Sequence, residues 1–226
     1  MTNNSLKSTT VKITATMVGT IICYIGVALT AYADIGQVPT TAFFKTISIL
    51  SGISIGLLSI ICWFLFFIGQ IVIERRDFKP IQFFQLLVIT LGGSVFDFFY
   101  DIMQKYVVLP YYPIKLITSV LGIAVTAFGV IIIMETKILR VPLEGFSEVL
   151  AQRIGSNLGV VRQAFDVLFL LLTIIITLIA STEWTIREIT VINAIIFGPL
   201  LNLYKKPVAK ILYKLHVIED PLCNLS

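Results

Sequence analysis

Arg162, Asp166 and Asp97 stand inside runs that are otherwise apolar, and their spacing defines the chemistry open to this chain. Arg162 and Asp166 are four residues apart in "VRQAFDVLFLLL". On a helix that spacing puts both on one face, close enough to pair, although Arg before Asp is the weaker order. Asp166 then lies roughly 10–12 Å into an apolar run by helix rise. An unpaired carboxylate at that depth costs several kcal/mol, so a pair with Arg162 is expected. The pair reads either as a structural ion pair or as a gate or solute site, its guanidinium suited to a carboxylate or phosphate. Asp97 sits well inside another apolar run that begins near Pro80, with Asp101 one turn further on the same face. Asp97 reads either as a packing residue beside Gly93 or as a substrate or proton site, and Asp101 as a solvated span end. Glu144 and Glu148 fall on a short amphipathic stretch, where solvated charge is the simpler reading and a solute or coupling site the sharper one. Thr40 and Thr41 occupy the corresponding stretch nearer the N-terminus.

Other chemistries lack their residues. The single histidine, His216, lies in the basic C-terminal region. Ser–His–Asp triads, His-held zinc and His-held iron inside the apolar region are therefore excluded. There is no GxxxxGK[ST] phosphate loop and no glycine-rich dinucleotide loop. Cys23, Cys62 and Cys223 are scattered, without a CxxC pair, and read as two small apolar fillers and one tail thiol. No cofactor, metal or nucleic-acid partner is expected, and no enzymatic activity.

The elements that must carry these charges are membrane spans. The chain has 226 residues, 57% of them hydrophobic and only 13% charged, against about 25% charged for a soluble domain. Its mean hydropathy is +0.96. Six runs approach the roughly 20 apolar residues that a span needs: about 12–33, 55–73, 81–101, 114–135, 159–181 and 187–204. Runs such as "LFLLLTIIITLIA" do not alternate as barrel strands do, so the fold class is an all-α polytopic membrane protein in one integral domain, 1–226. The first apolar run is too long for a signal-peptide core and reads as a retained span. With the N-terminus cytoplasmic, 13 of the 17 Lys and Arg fall on inner segments, which places both termini in the cytoplasm.

The chain also repeats itself. Shifted by 103, Gly26 meets Gly129, Val38-Pro39 meets Val141-Pro142, Gly52 meets Gly155, Gly56 meets Gly159, and Leu65-Phe66 meets Leu168-Phe169. Many of these identities are Gly and Pro, which set backbone shape. With a shift of 105, Gly93 meets Gly198 and Asp97 meets Asn202. Arg162 and Asp166 correspond to Ser59 and Trp63, so the halves are not chemically equal. Each half holds three spans, about 12–103 and about 114–205, followed by a short basic tail at 206–226. An odd number of spans inserts the halves in opposite senses, giving a 3+3 inverted repeat. After the first span of each half, Pro39 and Pro142 open short helices, Thr40–Leu50 and Leu143–Arg153, that stop near Gly52 and Gly155. These are too short to span. They read as interfacial helices, the more so for the amphipathic second one, or as re-entrant half-helices whose N-termini favour anions. Gly19, Gly26, Gly122 and Gly129 on spans one and four read as a close helix crossing.

These marks recur in order in a known family: "DIGQVPTTAF" after the first span, "GISIG" opening the second, "GSVFD" in the third, the returning "VPLEGF", "VRQAFD" in the fifth, and "FGPLLN" with Gly198 and Pro199 in the sixth. Over about residues 15–205 the chain resembles the YczE/YyaS/YitT-type bacterial membrane proteins, closest to the YczE-like branch. That family tends to place an aromatic and an acid after the first Pro, where this chain has Thr40 and Thr41; the second copy keeps Glu144. The resemblance implies a six-span protein of the bacterial cytoplasmic membrane with a role in transport or export. The leading expectation is a secondary transporter or exporter of a small solute, alternating access by moving one three-span repeat against the other. Asp97, Arg162, Asp166, Glu144, Thr40, Thr41 and Asn202 are its candidate substrate or coupling residues. Pro39, Gly52, Gly56, Gly93, Pro142, Gly155, Gly198 and Pro199 are its shape-setting ones. The second expectation is a non-transporting accessory protein assisting a membrane partner. The expected partners are the lipid bilayer and a small solute, with a homo-oligomer or membrane partner left open.

Overall fold

The computed structural model describes residues 3–139, 141–156, 158–215 and 217–218, and side chains from Thr9 onward except those of residues 158, 159, 194 and 198. His216, Cys223 and the side-chain position of Gly198 thus lie outside the described residues. The described residues form eight α-helices: α1 (Asn3–Ala33), α2 (Pro39–Ser51), α3 (Ile55–Glu74), α4 (Gln85–Tyr106), α5 (Tyr112–Thr136), α6 (Pro142–Ile154), α7 (Leu158–Ala180) and α8 (Glu188–Lys214). Two 3-10 turns, Arg75–Asp77 and Pro80–Phe84, join α3 to α4. No strand occurs among the described residues.

Local signals explain the breaks. Pro39 and Pro142 open α2 and α6, where a missing N–H costs nothing. Both helices have 13 residues, and both end on a left-handed glycine, Gly52 at φ 72° and Gly155 at φ 68°. Asp34 (φ 56°) and Lys137 (φ 52°), also 103 apart, turn the chain at the ends of α1 and α5. The two halves thus share one element order: long, short, long, long.

Among the described residues five helices are long and apolar enough to cross a membrane: Thr9–Ala33, Ile55–Asp77, Pro80–Tyr106, Tyr112–Thr136 and Val160–Ala180. The chain is a multi-pass membrane protein on that ground. Exposed Leu65, Leu178, Ile179 and Ile195 clothe its outer faces, as lipid contact requires. The sixth expected span, 187–204, falls in α8, whose apolar part is short, Glu188–Phe197. Helix α8 then runs on through Lys205, Lys206, Lys210 and Lys214. The segment expected as a tail is therefore helical to Lys214, and Val208 and Leu212 bury themselves against Ile131 and Ile132 of α5.

The helices pack as two layers. Helices α4, α1, α5 and α8 stand in a row, each against the next, while α2, α3, α6 and α7 close a ring in which α2 packs on α7 and α3 on α6. The layers join where α3 packs on α4; the corresponding pair, α7 and α8, makes at most marginal contact among the described residues. At the middle of the row α1 and α5 cross at glycine. A Cβ on Gly26 would lie 2.5 Å from the Thr126 amide nitrogen and 2.6 Å from the Gly122 oxygen, and one on Gly129 would lie 2.6 Å from the Gly19 oxygen. Gly19 thus faces Gly129 and Gly26 faces Gly122, so the helices run antiparallel. Across this crossing, Gly26→Ala is expected to cost about 1–3 kcal/mol, because backbone must move. Gly52→Ala, with nothing within 4 Å of its Cβ, is expected to cost about 1–2 kcal/mol of left-handed strain alone and to leave the α1–α5 contact intact. Thermal unfolding in detergent, with cysteine cross-linking of α1 to α5, separates the two.

Candidate functional site

A cavity of about 680 Å³ lies between row and ring. Thr20, Tyr24, Thr30 and Thr126 of α1 and α5, Phe96 of α4, and Thr190 and Asn193 of α8 form the row side. The ring side is built from the two broken segments. Pro39, Thr40 and Thr41 of α2 and Pro142, Leu143 and Glu144 of α6 all line the cavity, with Ser59 and Trp63 of α3 and Arg162 and Asp166 of α7.

Both short helices therefore begin at the cavity. Neither Val38 nor Val141 supplies a side-chain cap, and the first backbone bonds run from Ala42 to Val38 and from Gly145 to Val141. The amides of Thr40, Thr41, Leu143 and Glu144 precede those bonds, so the helices offer them no backbone acceptor. Both short helices bury one side against the other helices. Thr40, Thr41, Ala42, Phe44 and Thr46 of α2 are buried, as are Leu143, Gly145, Ser147, Val149 and Ala151 of α6. Gly145, Ser147 and Ala151 are buried where α6 packs between α3 and α7, while Glu144 and Gln152, on one face of the helix, are exposed.

The charges meet at one end of the cavity. The Arg162 Nε donates to the Glu144 Oε1 at 3.3 Å, and the guanidinium also pairs with Asp166. The expected i, i+4 pair thus forms, with Glu144 as a third member brought in by α6. The side chains of Arg162, Glu144 and Asp166 are 30%, 48% and 36% exposed, whereas Thr41 and Ser59, at the matching positions of the first half, are 7% and 5% exposed. The cavity is accordingly open at its charged end and closed at its threonine end.

Asp97 is elsewhere. Its Oδ1 accepts from the Gly56 amide at 2.8 Å and its Oδ2 from the Ser54 hydroxyl at 2.6 Å. It caps α3 at the α3–α4 contact, where a Cβ on Gly93 would lie 2.6 Å from the Gly56 oxygen. Of its two expected readings, packing beside Gly93 is the one that the geometry fits. Asn202 is exposed on α8 and Pro199 lies inside that helix; neither lines the cavity. Gly52 and Gly155 end the short helices away from it.

Two closures had no sequence signal, because their partners are far apart in the chain. The loop between α1 and α2 clamps the start of α8: the Thr190 hydroxyl donates to the Gln37 carbonyl at 2.7 Å, the Ile189 amide to the Ile35 carbonyl at 3.1 Å, and Arg187 to the Asp34 carbonyl at 3.0 Å. Lys45 pairs with Asp34 at 2.5 Å, and Thr46 meets Thr185 at 2.9 Å. At the other end the Gln85 side-chain amide donates to the Gln82 oxygen at 2.5 Å, and Gln82 reaches the Ile138 carbonyl at 3.5 Å. Among the described residues no group of three His, Cys, Asp or Glu side chains stands ready to hold a metal.

Multi-pass helices broken by proline around an internal cavity define the class of this protein. Residues 10–206 match the family described as a family of unknown function, DUF6198, and the chain belongs to it. No curated protein and no solved structure matches the chain.

Because Asp97 satisfies the first turn of α3, Asp97→Ala is expected to destabilise the protein by about 1–3 kcal/mol, and Asp97→Asn by less. Denaturation in detergent reads both substitutions.

Proposed function

We propose that this protein is a secondary transporter or exporter of a small solute, with the cavity between row and ring as its solute site. The observation that carries the reading is that both broken helices open into one cavity whose two ends differ in access. A volume of about 680 Å³ is in the range of small-molecule sites. Breaks in helices beside a central cavity are where transporters place their sites, because irregular backbone is tolerated only there.

The two halves relate as a 3+3 inverted repeat, with α8 as the sixth span. Gly19 faces Gly129 and Gly26 faces Gly122; each pair becomes the other when 103 is added to one member and subtracted from the other. Such reciprocal contacts are what a two-fold axis produces. The same exchange relates α2 on α7 to α6 on α3, and α1 on α4 to α5 on α8. The likeness to YczE-like proteins and the excess of inner Lys and Arg favour a bacterial cytoplasmic membrane, with both termini inside. On that orientation the charged end of the cavity faces the cytoplasm.

The moving unit differs from the one expected on sequence. Helices of opposite halves interlock within the ring, so a rigid three-span half cannot move without breaking the α2–α7 and α3–α6 contacts. The ring rocks against the row instead, with the α3–α4 contact as the pivot edge. The charged end closes as the clamp of Gln37 on Thr190 opens.

Two-sided accessibility tests this. A single cysteine replaces Thr126, which lines the cavity, in a chain lacking Cys23, Cys62 and Cys223. Right-side-out and inside-out vesicles are treated with an impermeant thiol reagent. Labelling from both sides, faster from the cytoplasmic one, is expected. Labelling from one side alone overturns the transporter and leaves the accessory protein as the reading.

A further inference from the structure

We infer that the cavity takes a monovalent organic cation with an aromatic or apolar body. This deepens the reading of the cavity as a solute site and rests on it. The sign follows from the charges that line the space. Glu144 and Asp166 carry two negative charges and Arg162 one positive, and no other charged side chain lines the cavity among the described residues. Both carboxylates share the one guanidinium, so the cluster on the cavity wall keeps one net negative formal charge. The remaining wall is largely apolar and screens charge poorly, so a solute bearing one positive charge completes the cluster.

The shape of the solute follows from the aromatic wall. Tyr24, Phe44, Trp63, Phe96 and Phe197 line the cavity. Phe44 and Trp63 stand edge to face, 5.5 Å between ring centroids, and Trp63 lies beside the Tyr24 hydroxyl. Ring faces attract cations and reject anions. Trp63 also occupies the first-half position that corresponds to Asp166, so aromatic and acidic groups take matching places on the two sides of the ring.

The opposing influence is the pair of helix N-termini, which favour anions. Each is equivalent to about half a charge and fades within one turn. Glu144 sits in the first turn of α6 and meets that one. The α2 terminus, with Thr40 and Thr41, does not outweigh the full net negative charge of the cluster. A proton on one carboxylate would balance the same charge, and binding measurements separate the two sources.

The test uses the full-length protein in nanodiscs and two probes of similar size and opposite sign, benzyltrimethylammonium and benzenesulfonate. Calorimetry and the unfolding midpoint are read for each. The cation is expected to bind and raise the midpoint, and the sulfonate to bind at least about tenfold more weakly. Glu144→Gln and Asp166→Asn are each expected to weaken the cation about tenfold or more, equivalent to about 1.4 kcal/mol. Trp63→Leu is expected to weaken it by several fold, and Glu183→Gln, outside the cavity, to leave it unchanged. Unfolding midpoints of the ligand-free variants identify any that merely misfold, and Trp63→Leu keeps the ion cluster intact. Tighter binding of the sulfonate, lost in Arg162→Gln, overturns the cation while the solute site stands. Equal binding of both probes, or of neither, overturns the cation, including the case in which a proton balances the cluster; the two-sided labelling of a cysteine at 126 then decides separately whether the cavity is a transport path.

Discussion

The structure depends on the crossing of α1 and α5. In lipid, apolar side chains gain nothing by leaving one apolar surroundings for another, so helices associate where backbones can come close. Gly19, Gly26, Gly122 and Gly129 provide that closeness on both partners. Thr16 and Thr136 add a buried hydroxyl pair at 2.9 Å at the end of the same interface. Helix α4 leans on α1 and α8 on α5, so the row inherits its geometry from this one crossing. The ring must then cover the row. Its two short helices leave a space that long helices would have filled.

That space exists because proline breaks each half at the same place. A break inside a membrane leaves amides without acceptors, and the cost is tolerable only beside a polar or water-filled volume. The cavity is thus a consequence of "VP" as much as its neighbour. The halves then diverge. In the first, Asp97 ties the start of α3 to α4 across Gly56 and Gly93. In the second, the residue matching Asp97 is Asn202, exposed on α8, and α7 makes at most marginal contact with α8 among the described residues. The first half has spent its carboxylate on closing an edge; the second places its carboxylates on the cavity wall.

Much of this was legible in the sequence where local chemistry decides. Pro39, Pro142, Gly52 and Gly155 fix where helices start and stop through φ alone, and the short helices fall within a residue of their expected bounds. The pairing of Arg162 with Asp166 follows from helical spacing. The third partner, Glu144, was not legible, because it lies 18 residues away from Arg162 on a different helix. Asp97 looked like a buried charge in lipid, and only the tertiary contact reveals that it caps a neighbouring helix. Helix α8 was expected to stop near residue 204. It continues because Val208 and Leu212 recur at helical spacing and find apolar partners on α5, a contact that hydropathy averaged over lysines conceals.

The ion cluster and the proposed motion share the same elements. Glu144 belongs to α6 and Arg162 to α7, so their contact bridges two members of the ring, beside the edge where α7 makes at most marginal contact with α8 among the described residues. A ligand shifts a conformational equilibrium only by its difference in affinity between the states. A solute that engages Glu144 or Asp166 competes with Arg162 for them, and so acts on the α6–α7 junction itself. A solute held by the row side alone, at Thr20 or Asn193, has no such lever. In the proposed transport cycle the placement of the charges on the ring, with none on the row side of the cavity among the described residues, would therefore couple occupancy to movement, at the edge where α7 and α8 make at most marginal contact among the described residues.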